Sequence, residues 1–256
     1  VTVNPGDPTP AYAQIANGLR RRITRGELRD GDKLPTLGEL IDESGSALGT
    51  VRQAISQLES EGLVVTRQGK GTFVRHPRRM RREGSTRHLS QRRSEGTPPM
   101  KAEAQKQNFE RGQEVTAAHL EPAPARVAEL LGVGEGDPLL LRRVLLTLDG
   151  EPAQVALSYF PREFAGDPVL QTAAEVPGGT HAYLKRELGL PLAYAVEDLV
   201  ARMPTPDETA QLRLHPGTPV VDLVRTIYTQ DDRPVEVTVF ACAGDRFEFR
   251  YRVPVE

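Results

Sequence analysis

The stretch from Gly49 to Val74, GTVRQAISQLESEGLVVTRQGKGTFV, changes its hydrophobic period part-way along, and that change restricts the first quarter of the chain to few architectures. Leu48, Val51, Ala54, Ile55 and Leu58 recur at helical spacing. They predict a helix with one buried stripe, N-capped by Ser46 and ended by Gly62. Leu63-Val64-Val65 and Thr72-Phe73-Val74 read as two short strands around Gln68-Gly69-Lys70-Gly71, a loop of small, polar and basic residues. Thr50, Arg52, Gln53, Ser56 and Gln57 fall away from or beside the buried stripe. The unit is a helix with a polar face followed by a small basic hairpin.

Two more helices precede it. Tyr12, Ile15, Ala16, Leu19 and Ile23 form one apolar stripe, with Pro8 and Pro10 upstream and Gly26 at its end. After a connector with a tight turn at Asp30-Gly31-Asp32, Thr36 and Glu39 stand at capping-box spacing ahead of Leu37, Leu40 and Ile41, and Gly45 ends that second helix. Three helices and a hairpin in this order describe a winged helix-turn-helix, whose third helix fits a DNA major groove about 12 Å wide. Arg52 suits the two acceptors of a guanine edge, and Gln53 suits an adenine edge. Thr50 can reach a phosphate or a thymine methyl. In the hairpin, Gln68, Gly69, Lys70 and Gly71 form the tip: the glycines keep Cβ atoms away from a duplex, and Lys70 meets phosphate or minor-groove acceptors. The GKGT of this loop is not a phosphate-binding loop of the nucleotidase kind, because Gly71 stands where Ser or Thr must follow the lysine.

Charge supports a polyanion-binding head. Residues 1–97 carry 17 Lys+Arg against 11 Asp+Glu, and residues 98–256 carry 16 against 24, although the 256-residue chain has a net charge of only −2. The single cysteine, Cys242, excludes an intrachain disulfide framework and a cysteine-rich zinc site. No apolar run reaches the length of a membrane span, so the chain is expected to be cytoplasmic and free of membrane. Residues 1–75 are expected to form the DNA-binding domain. Residues 76–99, rich in arginine with few apolar side chains, are expected to be an extended spacer that adds phosphate contacts; its His76 and His88 sit in a cationic setting unsuited to metal.

Residues 100–256 read as α+β with an antiparallel sheet. Strand-like runs occur at 114–120, in LLLRRVLLTLDGEPAQVALSYFP around Asp149-Gly150, at 192–203, and around Asp231-Asp232, with a further strand after Gly244-Asp245. Short helices are expected near 127–131, 180–188 and 205–212. PAPARVAELL and TPDETAQLRL are alike, each followed by a Gly turn, a Pro and a strand, which suggests an internal repeat. His119, His181 and His215 lack metal-ligand spacing, and there is no HExxH, no G-x-S-x-G and no dinucleotide fingerprint, so neither catalysis nor a metal or cofactor is expected. Arg143 and Glu236, on separate strands, could orient a small polar ligand at the sheet.

PAYAQIANGLRRRITRGELRDGDKLPTLGEL, TVRQA, LESEGL and GKGTFV, in this order over residues 8–75, resemble the DNA-binding domain of GntR-family transcription regulators. The resemblance implies a homodimer on a palindromic operator, with Thr50, Arg52, Gln53, Gly69, Lys70 and Gly71 at operator-contact positions. It also shows two departures, Gly38 and Leu48, where the family usually carries arginine. RRVLLTLDGEPAQVALSYFP, HAYLKRELGLPL and DRPVEVTVFACAGDRFEF resemble the effector-binding UTRA domain of the HutC subgroup, a chorismate-lyase-like fold. This implies an effector cleft lined by Arg143, Ser158, Thr180, Tyr183 and Glu236. Leu145, Ala156 and Cys242 stand where sensors of phosphorylated amino sugars carry arginine, an acid and tyrosine, which implies a less anionic, more apolar effector. The expected function is a sequence-specific repressor released by a small-molecule effector. The alternatives are an enzyme with an appended DNA-binding head and a nonspecific architectural protein.

Overall fold

The computed structural model describes residues 1–75, 77–84, 98–253 and 255. The chain divides into two compact units: Val1–Arg78 with Leu214–Thr218, and Arg79–Arg213 with Pro219–Glu256.

In the first unit α1 (Ala11–Thr24), α2 (Leu37–Ser44) and α3 (Leu48–Ser60) precede a hairpin of β1 (Val64–Arg67) and β2 (Gly71–Val74). Ile15, Leu19, Leu40, Val51 and Leu58 are fully buried between them, each contributing roughly 1.5–3 kcal/mol of hydrophobic stabilisation. The capping box forms: Thr36 Oγ1 accepts from the Glu39 N–H, and Glu39 Oε2 accepts from the Thr36 N–H at 2.7 Å. Gly45, with φ of 64°, ends α2 in the left-handed conformation that glycine tolerates. The hairpin pairs Val64 with Val74 and Arg67 with Gly71, and Lys33 bridges to Phe73. Two details differ from expectation. Ala47, not Ser46, occupies the cap position of α3 and supplies no side-chain cap. Leu48 is 41% exposed, because the stripe of α3 is buried only from Val51 onward.

The second unit is built on a six-stranded antiparallel sheet. Its strands are β4 (Arg111–Pro122), β5 (Pro138–Leu148), β6 (Glu151–Phe160), β7 (Leu192–Arg202), β8 (Val220–Thr229) and β9 (Pro234–Ala243), in the order β4-β5-β6-β9-β8-β7. This order reads alike from both edges. Each half is a long strand, a short helix and a hairpin, with α5 (Ala125–Leu131) after β4 and α7 (Pro206–Gln211) after β7. The likeness of the two helical segments in the sequence is thus matched by topology. Asp149 (φ 52°) and Gly150 (φ 79°) turn β5 into β6, the positive-φ pair that suits a two-residue hairpin. A further short helix, α6 (Thr180–Arg186), lies between β6 and β7 in the chain.

The stretch expected to be a spacer is structured at both of its described ends. Met80–Glu83 form β3, paired parallel with β10 (Phe247–Arg250), and Pro99 opens α4 (Pro99–Lys106). The run RRMRRE conceals a period-2 alternation: Met80 and Arg82 are buried while Arg81 and Glu83 are half-buried. Arg82 is tolerated inside because Glu103 lies 2.9 Å from its Nε. Residues 85–97, with His88, and also His76, lie outside the described residues.

Candidate DNA-reading surface and candidate ligand cavity

Between α3 and the hairpin runs a groove of about 720 Å³, walled by Arg52, Ile55 and Glu59, by Thr66 to Thr72, and by Lys33 to Gly38. Glu59 Oε1 accepts the Thr66 N–H at 3.0 Å and ties the helix to the hairpin. Lys33, Arg52, Arg67 and Lys70 converge on this groove. Arg52 and Lys70 are exposed and form no ion pair among the described residues, while Arg67 stacks over Phe73 at 5.1 Å. Gln53 and Gln68 are exposed and Thr50 is half-buried. The loop glycines have a reason beyond approach to a duplex: Gly69 has φ of 71° and Gly71 φ of 112°, and a Cβ on Gly71 would lie 2.6 Å from Lys33 Cε. Free cations on a polar helix face beside a basic loop can bind a phosphate backbone and reach base edges.

The second unit holds a cavity of about 190 Å³ on one face of the sheet, room for about six water molecules. Its floor is Val144 and Leu146 of β5, Ala156 of β6 and Phe240 of β9; Met100, Val176, and Gly178 to Ala182 wall it further. Glu236, 4% exposed, holds its polar centre. His181 Nε2 lies 2.8 Å from Glu236 Oε2, and Thr238 donates to Glu236 Oε1 at 2.8 Å. Since that spends the Thr238 proton, Ser158 must donate to Thr238 Oγ1, also at 2.8 Å. Burial alone would raise the Glu236 pKa, but His181 and the two hydrogen bonds outweigh it and hold the carboxyl below its ordinary value.

Four arginines line the cavity. Arg82 is paired with Glu103, Arg111 with Glu175 at 3.3 Å, and Arg225 with Glu197 at 2.6 Å. Arg225 also stacks over Phe240 at 4.9 Å. Arg142 differs. Its guanidinium donates to the carbonyls of Leu170, Thr172 (2.8 Å) and Ala174 (2.8 Å), and burial lowers its pKa from the ordinary value. Arg111 Nε is buried without an acceptor among the described residues.

Of the expected cavity residues, Ser158, Thr180 and Glu236 line the wall. Arg143 does not: strand alternation turns Arg142, Val144 and Leu146 to the cavity and Arg143, with Leu145, to the opposite face. Tyr183 points elsewhere, its hydroxyl donating to Asp167 Oδ2 at 2.7 Å; that bond, with some burial, pushes its pKa up to about 12. Cys242 is buried, its Sγ 3.5 Å from Gln154 Oε1. His181, Arg111, Arg225 and Thr238 escaped sequence reading. Thr238 carried a signal, since it stands two residues from Glu236 and must share its face; Arg225 carried another, as the lone cation of a largely apolar strand. Among the described residues no cluster of three or more His, Cys, Asp or Glu could hold a metal ion, and no helix is long and apolar enough to cross a membrane.

A winged helix with a cationic groove, carried on a chain with a sheet-based ligand cavity, defines a ligand-responsive, DNA-binding transcription regulator. Residues 11–74 match the bacterial regulatory proteins of the gntR family and residues 106–248 match the UTRA domain, and the chain belongs to the GntR family of regulators that carry this domain. It is 34% identical over 248 residues to the HTH-type transcriptional regulator Rv0792c of Mycobacterium tuberculosis, covering 96% of this chain and 86% of that one. It is 28% identical over 251 residues to the HTH-type transcriptional repressor NagR of Bacillus subtilis, covering 97% of each. Among solved structures it is similar to a GntR-family transcriptional regulator (TM-score 0.66, 26% identity, covering 97% of this chain and 99% of that one) and to PhnF from Mycobacterium smegmatis (TM-score 0.57, 26% identity, covering 94% and 100%).

Proposed function

We propose that this regulator is a homodimeric repressor that acts in the cytoplasm on a palindromic operator and is released when a small ligand fills the sheet cavity. The observation that supports the DNA half best is the pair of exposed, unpaired cations Arg52 and Lys70 on opposite walls of one groove. Arg52, with Gln53 and Thr50, enters the major groove; Gln68 to Gly71 follow the backbone beside it. The two α3 helices of a dimer then read half-sites about one helical turn apart.

The ligand half rests on the buried Glu236–His181–Thr238–Ser158 chain facing an apolar floor. It favours a ligand with an apolar body, one group that bonds to this chain, and an acceptor for the open Arg111 Nε. Because the other arginines are engaged by Glu103, Glu197 and backbone carbonyls, the expected less anionic, more apolar effector needs only one accepting end, at Arg111. Ligand action requires different affinities for the DNA-competent and DNA-incompetent forms, typically about 1–3 kcal/mol of coupling. The protein works by binding rather than turnover.

Mobility shifts with the full chain test the DNA half. Arg52→Ala is expected to cost about 1–3 kcal/mol and relax preference at one base pair per half-site, whereas Lys70→Ala weakens all duplexes alike and flattens the salt dependence by about one unit per half-site. Equal losses on every sequence for both variants, with random DNA competing as well as selected DNA, would leave only nonspecific binding.

A further inference from the structure

The first turn of α3 departs from the rest of the helix. Val51, Ala54 and Leu58 have no exposed surface, and Ile55 has 7%, yet Leu48, at the spacing that continues their stripe, is 41% exposed. Leu48 and Arg52 are four residues apart and therefore neighbours on one face. The leucine thus stands beside the exposed arginine that reads DNA in the function proposed above. Gly49 follows it. That glycine lies within the helix without a left-handed φ, and nothing lies within 4 Å of where its Cβ would be. Neither the backbone nor packing among the described residues calls for glycine there, although it is among the poorest helix formers.

An apolar knob and an adjacent gap at the leading end of a recognition helix fit one partner chemistry. In the major groove the bases present hydrogen-bond donors and acceptors and a single apolar group, the C5-methyl of thymine. A leucine against guanine or cytosine would strip water from polar edges and return no hydrogen bond. Against thymine it buries a methyl group, and the missing Cβ at position 49 lets the end of the helix come close enough for that contact. We propose that Leu48 is a specificity-determining residue that selects thymine in each half-site through its methyl group. The inference rests on the reading of α3 as the DNA-contacting helix.

The test begins by selecting duplexes from a random-sequence library with the full-length protein. Thymines in the enriched half-site are then replaced one at a time by uracil, which keeps the base pair and removes only the methyl. Expected is a position at which uracil weakens binding about fourfold per half-site, the change that burying one methyl group implies. Leu48→Ala is expected to bind the thymine and uracil duplexes alike, and Leu48→Met to retain most of the difference. Because Leu48 is exposed, both variants should keep the melting temperature of the parent, which the same preparations report. Indifference of the parent to uracil at every position overturns the proposal, as does an undiminished uracil penalty in Leu48→Ala, which would hand the methyl to another residue. Enrichment of no sequence at all is a separate result: it removes the DNA-binding reading itself.

Discussion

His181 Nε2 lies 2.8 Å from Glu236 Oε2 across the wall of the sheet cavity, and both side chains are largely withdrawn from water. The contact joins α6 to β9, so the segment that closes the cavity is held to the sheet by a buried carboxylate. Burial works against that carboxylate, but the fold favours its ionised form overall and holds its pKa below the ordinary 4.5. A depressed carboxyl pKa contributes stability that is fully present above the unfolded value and lost as pH falls through the folded one. Glu236→Gln is therefore expected to lower stability by about 1–3 kcal/mol at pH 7, with the gap to the parent closing as pH drops below 4.5. Calorimetric melting between pH 3.5 and 7 checks this; a gap independent of pH would mean the carboxylate charge is not what holds the contact.

Arg142 and Arg143 are neighbours in sequence and opposites in role. Arg142 is 4% exposed and gathers the carbonyls of Leu170, Thr172 and Ala174, whereas Arg143 is half-buried on the other face. Arg142→Ala leaves those carbonyls without their donor and should destabilise the second unit by about 2–4 kcal/mol and abolish the response of DNA binding to ligand. Arg143→Ala should change stability by less than about 1 kcal/mol and leave the response intact. Parallel denaturant titrations of the two variants decide it, and a reversed order would place the cavity on the wrong face of β5.

That pair also marks the limit of what could be read from the chain. The first unit was legible because its signals agree: the helical stripe of α1, the capping box at Thr36 and Glu39, and the glycines at 45, 62, 69 and 71 all point to one arrangement. The six-stranded sheet was legible from its hairpins and from the resemblance between the segments that became α5 and α7. The face of β5 was not, because LLLRRVLL has no alternation to say which arginine turns inward, and a shift of one residue exchanges the faces. Nor was β3, since four arginines around one methionine read as an extended, phosphate-contacting spacer until Glu103 is seen beside Arg82. Leu48 failed differently. Periodicity reports which residues share a stripe, not how far along the helix that stripe has something to pack against.

Gly69 and Gly71 separate two reasons for a glycine. At Gly69 the backbone is left-handed (φ 71°) with open space around a would-be Cβ. Gly69→Ala should therefore cost only the conformational penalty, about 1–2 kcal/mol. At Gly71 φ is 112°, a region that side chains scarcely enter, and the new Cβ also meets Lys33 Cε at 2.6 Å. Lys33 can swing its flexible end aside, so the backbone sets the cost: Gly71→Ala should cost more than Gly69→Ala, about 2–3 kcal/mol, and weaken DNA binding by moving Lys33 in the groove. Equal melting temperatures for the two variants would show that the hairpin relaxes freely at Gly71.

The outer strand β7 bears on the proposed dimer. Among the described residues it pairs with β8 along one side only, and Val196 and Val200, 45% and 52% exposed, project from one of its faces. An edge with free N–H and C=O groups and apolar side chains is a template for another strand, and natural proteins block such edges unless they are used. Two copies related by a twofold axis can each offer this edge to the other, an isologous arrangement that uses up both β7 edges and leaves β4 outermost in each copy. Val196→Lys with Val200→Lys should turn a dimer into a monomer in sedimentation at micromolar concentration. The melting temperature of a first unit with its own core should stay close to the parent's. DNA affinity should fall steeply, because each head then binds its half-site without the effective concentration that the second head supplies. A double variant that sediments as the parent does would place the dimer contact on another surface.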